Sequence, residues 1–353
     1  MPPSERSRRL ASLPLVAGVV AVLGAAAAAF LLVPRLARGP APEIGVYSGR
    51  HYNTDQELYR RFTAQTGIRV RLLEGKDDAL IERVRNEGTS TPADVLVLVD
   101  AARLDKAASQ NLLAPVRSAG LERDVPARLR DPQGRWFALT RRVRMVVVNP
   151  SWVDASAIRT YADLASPALK GQLCLRNNRS VYNQSLVADQ WIQKGPAATR
   201  RWVEGMVANL AQPFFTADIP LARAVARGEC GAGLVNSYYV ARMLSGASGA
   251  ADRKAAGALQ VVFPDPAHVN VSGAGVTLHS RHKEAATRLI EFLASPRGGV
   301  GYAEANLEYP LRGYGDNPIL RSFGPFREDA VTVQQMGEKN REAVQLMQAA
   351  GWS

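Results

Sequence analysis

Cysteine, histidine and aromatic residues are all scarce in this chain, which has two cysteines, four histidines and 7% Phe, Trp and Tyr among 353 residues. No Cys-x-x-Cys spacing and no His-x-x-x-His pair occurs, so the common Cys-based and His-paired metal sites are disfavoured. A glycine-rich phosphate loop and a G-x-S-x-G nucleophile turn are also missing. These absences leave an enzyme, such as a hydrolase, as a minor alternative.

Long runs of like charge are also missing. The chain carries a net charge of +12, of which residues 1–42 contribute +4 (five Arg less Glu5) and the remainder +8. The basic residues are scattered, and no aromatic residues are interleaved with them in a stripe, so nucleic-acid binding is not expected. With 46% apolar residues, the composition is that of an ordinary globular chain large enough for about two domains.

The N-terminus has the pattern of an export segment. Arg6, Arg8 and Arg9 precede residues 13–33, an uncharged run of 21 residues that a Pro/Gly linker follows up to residue 42. A basic start followed by an apolar stretch predicts export from the cytoplasm. Because the run is long enough to cross a bilayer, residues 1–42 are either a cleaved signal or an uncleaved anchor, and both routes, Sec and twin-arginine, stay open. No cysteine lies near residue 35, which excludes a lipid-attachment site.

The rest of the chain alternates between strand and helix patterns, which is typical of an α/β fold. Residues 43–99 predict a βαβ opening, and residues 93–99 are apolar enough for a buried parallel strand. Strand-like crossings near Arg142 and Phe263 divide the chain. We predict a first lobe of residues 43–141 and 267–353, including a C-terminal helix over residues 331–350, and a second lobe of residues 142–266.

Two adjacent tyrosines, Tyr238 and Tyr239, follow the strand-like residues 233–235 and precede a helix over residues 240–244, with Ser237 as a favoured N-cap. Phenolates in the first turn of a helix are stabilised by the positive end of its dipole. A side chain at the carboxyl end of a strand also faces the crevice where open α/β sheets bind ligands. The alternative is that the pair packs in the core.

Two further turns between a strand and a helix carry tyrosine, which favours a binding site over packing. One contains His51 and Tyr52, before a helix that the capping box Thr54-x-x-Glu57 would open. The other contains Tyr182, between a strand over residues 172–176 and a helix over residues 185–194.

These motifs together resemble a known family. The chain is similar to the iron(III)-binding, periplasmic solute-binding proteins of ATP-driven (ABC) importers, in the subgroup typified by cyanobacterial ferric-binding proteins. The resemblance covers about residues 43–350 and implies a type II periplasmic binding protein fold, in which a two-crossing hinge joins two α/β lobes. It rests on residues 48–55, 181–186 and 236–239, with further matches at residues 92–95 and 273–275.

The resemblance implies that Tyr52, Tyr182, Tyr238 and Tyr239 bind Fe(III) and that His51 lies at the site, where it is a ligand in some members. The chemistry agrees, because ferric ion is a hard acid and phenolate is a hard anionic donor. Free tyrosine ionises near pH 10, but a bound cation displaces the phenol proton. The family also implies partners, namely a membrane permease of the ABC type and its ATPase subunit.

Arginines are candidates for supporting roles. Arg142 and Arg144 resemble a paired pattern at the family's cleft, where they would hold phenolates or bind an anion, although a solvated strand end is an equal alternative. Arg242 is a weaker candidate of the same kind. In many relatives the strand that matches residues 142–149 ends in Tyr-Asn, whereas here Val148 precedes Asn149. The second candidate function is therefore a protein of the same fold that binds an organic or phosphorus-containing anion.

The remaining polar candidates have simpler interpretations. In an exported protein the pair Cys174 and Cys230 predicts a disulfide, with two buried thiols as the alternative. The histidines His268, His279 and His282 have no ligand spacing and are expected at the surface or in packing. Asp77, Asp78, Asp94 and Asp100 are expected as helix caps and exposed charges.

Overall fold

The protein is described here by a computed structural model that covers residues 42–50 and 55–353. None of the helices in that part of the chain is both long and apolar enough to cross a bilayer. The predicted export segment within residues 1–41 and the candidate ligands His51 and Tyr52 lie outside the described residues.

The observed elements follow the predicted α/β alternation. The strands in the described part of the chain are β1 Glu43–Ser48, β2 Arg69–Glu74, β3 Val95–Val99, β4 Phe137–Val148, β5 Leu173–Cys174, β6 Ala232–Asn236, β7 Gln260–Val262 and β8 Val269–Val276. The helices up to residue 208 are α1 Gln56–Thr66, α2 Asp77–Glu87, α3 Ala101–Ser109, α4 Ala119–Asp124, α5 Val181–Lys194 and α6 Pro196–Ala208. The later helices are α7 Asp218–Ala226, α8 Ser237–Ser245, α9 Ala250–Gly257, α10 Lys283–Ala294, α11 Pro296–Glu304, α12 Pro318–Ser322, α13 Val333–Glu338 and α14 Asn340–Ala349.

The sheet has two halves that share one long strand, β4. The strand order is β2-β1-β3-β8-β4-β6-β5, and β7 pairs with β4. Residues 137–143 of β4 pair with β8, whereas residues 144–148 pair with β6 and β7. Strand β4 therefore runs from one half-sheet into the other, and Val143 lies beside Val269 at the point of passage. This is the two-lobed α/β architecture that the sequence predicts, although the lobe boundaries themselves stay a prediction.

Strand β4 begins five residues earlier than the predicted start at Arg142. Its N-terminal half contains Thr140 and Arg141, whose polar side chains obscure a strand pattern in the sequence. Both are buried nevertheless, because Thr140 donates a hydrogen bond to Glu308 and Arg141 donates to the carbonyl oxygen of Pro310. Partners distant in the sequence thus make a buried strand out of a polar stretch.

Helix boundaries differ from the predictions at three places. Helix α1 begins at Gln56 with Asp55 as its N-cap, so Thr54 is not the cap residue of a capping box. Helix α5 begins at Val181, four residues before the prediction, with Ser180 as its N-cap. The predicted C-terminal helix is divided at Lys339 into α13 and α14.

The apolar core also has two main parts. One surrounds the first half-sheet and includes Phe62, Leu96 and Ile290, and another lies under the second half-sheet and includes Leu186 and Leu234. Helix α14 contributes to the second part through the side chains Ala343, Leu346 and Met347, whereas the sequence analysis assigned the C-terminal helix to the first lobe.

Cys174 and Cys230 form a disulfide, as predicted. Cys174 ends strand β5 and Cys230 precedes β6, and their Cα atoms are 5.9 Å apart, within the usual range for a bridge. Both residues are buried against Leu221 and Val225 of α7. The bridge joins the turn before Tyr182 to the strand before Tyr238.

Replacing both cysteines with alanine should lower the free energy of unfolding by about 4 kcal/mol, because the bridge closes a loop with a sequence separation of 56 residues. Urea denaturation measures this loss. Reductant should bring the unmodified protein down to the stability of the double variant and leave the variant unchanged. Equal stability of the two proteins without reductant would show that the bridge contributes nothing.

Candidate functional site

Tyr238 and Tyr239 lie in the first turn of helix α8, directly after strand β6, as the sequence predicts. The N-cap is Asn236 rather than Ser237, which is the first helical residue. Tyr238 is buried and Tyr239 is half-buried. Their ring centroids are 4.2 Å apart, so the two phenols form one unit at the positive end of the helix dipole.

Tyr182 joins this pair from helix α5. It lies in the first turn of α5 and is half-buried, and the Tyr238 hydroxyl donates a hydrogen bond of 3.1 Å to the Tyr182 hydroxyl. Three of the four predicted tyrosines therefore converge, although 56 residues separate Tyr182 from Tyr238 in sequence. The placement of Tyr52 and His51 stays a prediction.

A small cavity lies against the phenols and is closed from the other side by the first half of the molecule. Its volume is about 40 Å³. Tyr182 and Tyr238 line it on one side, and Asp77, Ser272, Asn306 and Glu308 line it on the other. Burial raises the pKa of Asp77 to about 6, although its carboxylate accepts a hydrogen bond from the Val99 amide. Arg50 also lines the cavity, so carboxylate, hydroxyl and guanidinium groups meet around it.

Arg142 is the charged side chain nearest to the phenols among the predicted arginines. Its guanidinium carbon lies 5.2 Å from the Tyr182 ring centroid, and its side chain is only 1% exposed, which rules out a solvated strand end. Burial alone would lower the pKa of Arg142, but Tyr182 first, and then Glu308 and Asp100, raise it above its ordinary value. Arg142 therefore stays charged in the dry interior.

Two donors of Arg142 are available for a ligand. Nη1 donates to the Ser272 hydroxyl at 3.1 Å, whereas Nε and Nη2 are buried and have no hydrogen-bond partner in the described part of the chain. The nearest carboxylate oxygen of Asp100 is 3.9 Å from Nη2, too far for a hydrogen bond. Buried unpaired donors of this kind call for an explanation, such as an anionic group.

Arg144 is also buried, but its hydrogen bonds go to the protein. It donates to Asp218 at 2.6 Å, to Asn183 at 2.7 Å and to the carbonyl oxygen of Leu234 at 3.1 Å. Asn183 is adjacent to Tyr182 in the sequence. Arg144 therefore positions the helix that carries Tyr182, and the structure assigns it a supporting place.

Arg176 is a neighbour of the phenols that the sequence analysis did not propose. Its guanidinium carbon lies 5.6 Å from the Tyr182 ring centroid, and it forms an ion pair with Asp218. Arg176 follows β5 by two residues and precedes the turn to Tyr182. Its position just after a strand is the feature of the sequence that could have predicted it near the phenols. Arg242, the third predicted arginine, is half-buried in the last turn of α8, and its role stays a prediction.

The aspartates expected as helix caps and exposed charges are mostly shielded from solvent. Asp100 caps helix α3 as predicted, yet it is fully buried, and its Oδ1 accepts a 2.6 Å hydrogen bond from the Ser185 hydroxyl on α5. Asp94 accepts hydrogen bonds from the Gly45 amide and the Ser280 hydroxyl. Of Asp77, Asp78, Asp94 and Asp100, only Asp78 is exposed, and it pairs with Arg103 and Lys106.

A buried ion pair holds the two ends of the segment that contains His51 and Tyr52. Arg50 Nε donates to Asp55 at 3.0 Å, and Arg50 Nη1 donates to Glu308 at 2.6 Å. The guanidinium also stacks on the Tyr302 ring at 3.9 Å. Residues 50 and 55 are thereby fixed to each other and to the cavity wall.

Asp55→Asn should lower the free energy of unfolding by about 3 kcal/mol or more, because it leaves the Arg50 charge incompletely paired in the interior. Glu57→Gln is the matched control. Glu57 pairs with Arg60 near the start of the same helix, but both side chains are more than half exposed, so less than about 1 kcal/mol is expected. Urea denaturation compares the two, and equal losses would contradict the interpretation.

Comparisons with known proteins identify a family for this chain. The model of the family described as bacterial extracellular solute-binding protein matches residues 90–322. The chain belongs to this family of solute-binding proteins.

The relatives of this solute-binding protein are similar over nearly their full length. Iron uptake protein A1 of Synechocystis sp. is 41% identical over 319 residues, which are 89% of this chain and 88% of that protein. Iron uptake protein A2 of the same organism is 36% identical and covers 91% of this chain and 93% of its own length. The sequence resemblance described above is thereby confirmed.

A solved structure shows the same fold. It is described as the Trichodesmium protein FutA (IdiA) in complex with iron and citrate ligands, and it matches with a TM-score of 0.85 and 40% identity. The match covers 88% of this chain and all of that chain. The two-lobed periplasmic binding protein fold predicted from the sequence is therefore confirmed.

Proposed function

We propose that this protein binds one ferric ion with phenolate oxygens between its two lobes and performs no catalytic turnover. The observation that carries the proposal is the convergence of Tyr182 and Tyr238 on one small cavity, with the ring of Tyr239 against that of Tyr238. The names of the relatives, which refer to iron uptake and to bound iron, support the same ligand.

The donor set suits a trivalent hard cation. Three phenolates supply three negative charges, which balance Fe(III) in a site from which water is largely excluded. Tyr238 and Tyr239 lie at a helix N-terminus, which stabilises their ionised form. A divalent ion would leave this set with excess negative charge, so ferric ion is the better match.

The size of the cavity argues against an organic solute. About 40 Å³ holds a metal ion with one or two small ligands, whereas sites for organic ligands usually span about 300–1,000 Å³. The cavity therefore favours an ion over a sugar, peptide or organophosphorus compound in this conformation.

One observation favours an anion at the same place. Arg142 presents two buried donors without partners in the described part of the chain, and such donors suit a carboxylate or phosphate oxygen. An anion could accompany the iron or, in the second candidate function, be the solute itself. Iron binding is the first choice because Tyr182, Tyr238 and Tyr239 supply hard anionic donors, which an anionic solute would not require.

We further propose that Tyr52, and with it His51, completes the metal site from the first lobe. Tyr182, Tyr238 and Tyr239 belong to the predicted second lobe, which would bind iron first. Closure of the hinge would then add Tyr52, so that iron stabilises the closed state by the free energy of the added bonds. A permease of the ABC type, driven by its ATPase subunit, would recognise that closed state and receive the iron.

The family also supports a location outside the cytoplasm, because its members are extracellular solute-binding proteins. We propose that the domain acts in the periplasm or an equivalent compartment. Cleavage or retention of the N-terminal segment would decide whether the protein is free or tethered to the membrane there.

Titration with a soluble ferric chelate should produce a visible absorption band from phenolate-to-iron charge transfer and saturate at about one iron per chain. Absorbance and elemental analysis measure the two quantities. Acid should bleach the band, since protons compete with the metal for the phenolates. Tight binding of an anion without a ferric band would instead favour the second candidate function.

Tyr238→Phe should weaken ferric binding by at least about 100-fold, since loss of a ligand should exceed the 10–100-fold typical of residues that only support one. Tyr314→Phe is the matched control, because Tyr314 bonds to the carbonyl oxygen of Phe326 and does not line the cavity. Competition with a chelator measures both affinities. Equal affinities would exclude Tyr238 as a ligand.

Tyr52→Phe should keep a coloured but weaker complex and should compact less on iron binding than the unmodified protein. Small-angle X-ray scattering of the iron-free and iron-loaded forms measures this difference. If the variant closes as fully as the unmodified protein, Tyr52 is not the residue that couples iron to closure.

A further inference from the structure

Three ionisable side chains meet in the interior at a place that the proposed function does not use. Asp189 lies on helix α5, His268 immediately precedes strand β8, and Asp329 lies between α12 and α13. One possible donor atom from each residue lies within 4.8 Å of the other two. All three side chains are buried, so their charges and polar atoms must be satisfied inside the protein.

The imidazole of His268 has no hydrogen-bond partner in the described part of the chain. It is 1% exposed, and neither Nδ1 nor Nε2 forms a hydrogen bond. Nδ1 lies 3.9 Å from Asp189 Oδ2 and 4.0 Å from Asp329 Oδ2, which is too far for direct hydrogen bonds. Each unpaired buried polar atom costs about 1–3 kcal/mol, so an occupant between these three groups would relieve a substantial cost.

Both carboxylates accept hydrogen bonds from groups other than His268. Asp189 accepts hydrogen bonds from the side-chain amides of Gln190 and Gln193 at about 3.0 Å. Asp329 accepts from the backbone amides of Val331 at 2.8 Å and Val269 at 3.4 Å. A carboxylate has about four lone-pair directions, so both keep acceptor capacity toward the imidazole. Fixed outer donors of this kind orient the ligands in protein metal sites.

The charges around the three groups favour a cation with two positive charges. Burial raises the pKa of both aspartates, and the charge of Asp329 raises that of Asp189 further. Burial, followed by the charges of Arg144 and Arg142, lowers the pKa of His268 to about 3, so the imidazole is neutral and able to act as a ligand. One divalent ion would neutralise the two carboxylates.

Other charged groups act on the cluster from the surrounding elements. Arg144 and Arg142 act from β4, Arg128 acts on Asp329, and Lys194 acts on Asp189 from the end of α5. Arg144 is itself paired with Asp218 at 2.6 Å, which offsets its repulsion toward a cation.

We propose that Asp189, His268 and Asp329 form a buried site for one divalent transition-metal ion, separate from the cavity at the tyrosines. Three donor atoms spaced evenly around an ion with bonds of about 2.0–2.2 Å lie about 3.5–3.8 Å apart, so the three groups, now 3.9, 4.0 and at most 4.8 Å apart, need to move together by roughly 0.5 Å each. One imidazole with two carboxylates suits Mn²⁺ or Zn²⁺.

An ion at this position would connect three parts of the fold. Asp189 follows Tyr182 by seven residues, so it lies on the same face of α5, about 10 Å further along the axis. His268 belongs to the chain crossing that enters β8, and Asp329 belongs to the C-terminal segment. The ion would fix the helix that carries Tyr182 to the crossing strand.

The test uses the full chain, which is first freed of metal ions with a chelator and desalted, and is then loaded with iron so that the tyrosines are occupied. Titration with Mn²⁺, followed by the loss of its free electron paramagnetic resonance signal, should show one ion bound per chain. The thermal unfolding temperature should rise with Mn²⁺. Asp189→Asn and His268→Gln should weaken Mn²⁺ binding about tenfold or more, whereas Asp316→Asn, at a 91% exposed carboxylate, should leave it unchanged.

The stability of the metal-free protein distinguishes a metal-binding role of Asp189 from a role in packing. Metal-free Asp189→Asn should be at least as stable as the unmodified protein, because it removes one of two facing carboxylates, and circular dichroism should show that it is folded. Absence of Mn²⁺ and Zn²⁺ binding, which would point to a buried water or a shared proton, overturns the proposal. Binding that survives in both variants also overturns it.

The two proposals can fail separately. If the chain does not bind iron, the Mn²⁺ titration is repeated on the unmodified protein and on Tyr238→Phe. Binding that requires Asp189 but not Tyr238 supports the divalent site whatever the outcome at the tyrosines. Binding that requires Tyr238 instead would place the ion in the cavity and overturn the proposal.

Discussion

The ion pair between Arg144 and Asp218 is the constraint on which the tyrosine site depends. Arg144 reaches Asn183, next to Tyr182, and Asp218 accepts a hydrogen bond from the amide of Asn236, the cap residue of the helix that carries Tyr238 and Tyr239. One buried pair thus connects both helix starts to strand β4. Removing one partner of such a pair leaves an uncompensated charge, at a cost of about 3–5 kcal/mol.

Arg142 has a different role although it is only two residues away on the same strand. Arg144 donates its hydrogen bonds to groups in the second half of the molecule. Arg142 instead lies near carboxylates of the first half and beside the ring of Tyr182. The positive charge of Arg142 is buried, but two of its donor nitrogens, Nε and Nη2, have no hydrogen-bond partner in the described part of the chain. Such a residue responds to what occupies the cavity, while Arg144 maintains the shape of the cavity whether it is occupied or not.

Local patterns were sufficient to predict the strand-to-helix turns and three converging tyrosines, because a strand, a cap and a helix start are encoded within about ten residues. They did not predict Glu308 or Ser272 at the cavity, since these residues come from a distant part of the chain and carry no local signature. They also did not predict how closely α13 packs on α3, where a Cβ atom at Gly337 would lie 2.4 Å from the side chain of Asp105.

The hydrogen bond between Asp100 and Ser185 affects how often the two lobes can separate. Asp100 belongs to the predicted first lobe and Ser185 to the helix of Tyr182, so separating the lobes requires this 2.6 Å contact to break even when no cargo is present. A hydrogen bond to a charged group contributes about 1.5–3 kcal/mol, which corresponds to roughly a tenfold to hundredfold change in how often the lobes part. If the lobes separate to release a solute, as proposed above, a serine and an aspartate that do not line the cavity would therefore help to set how often release occurs.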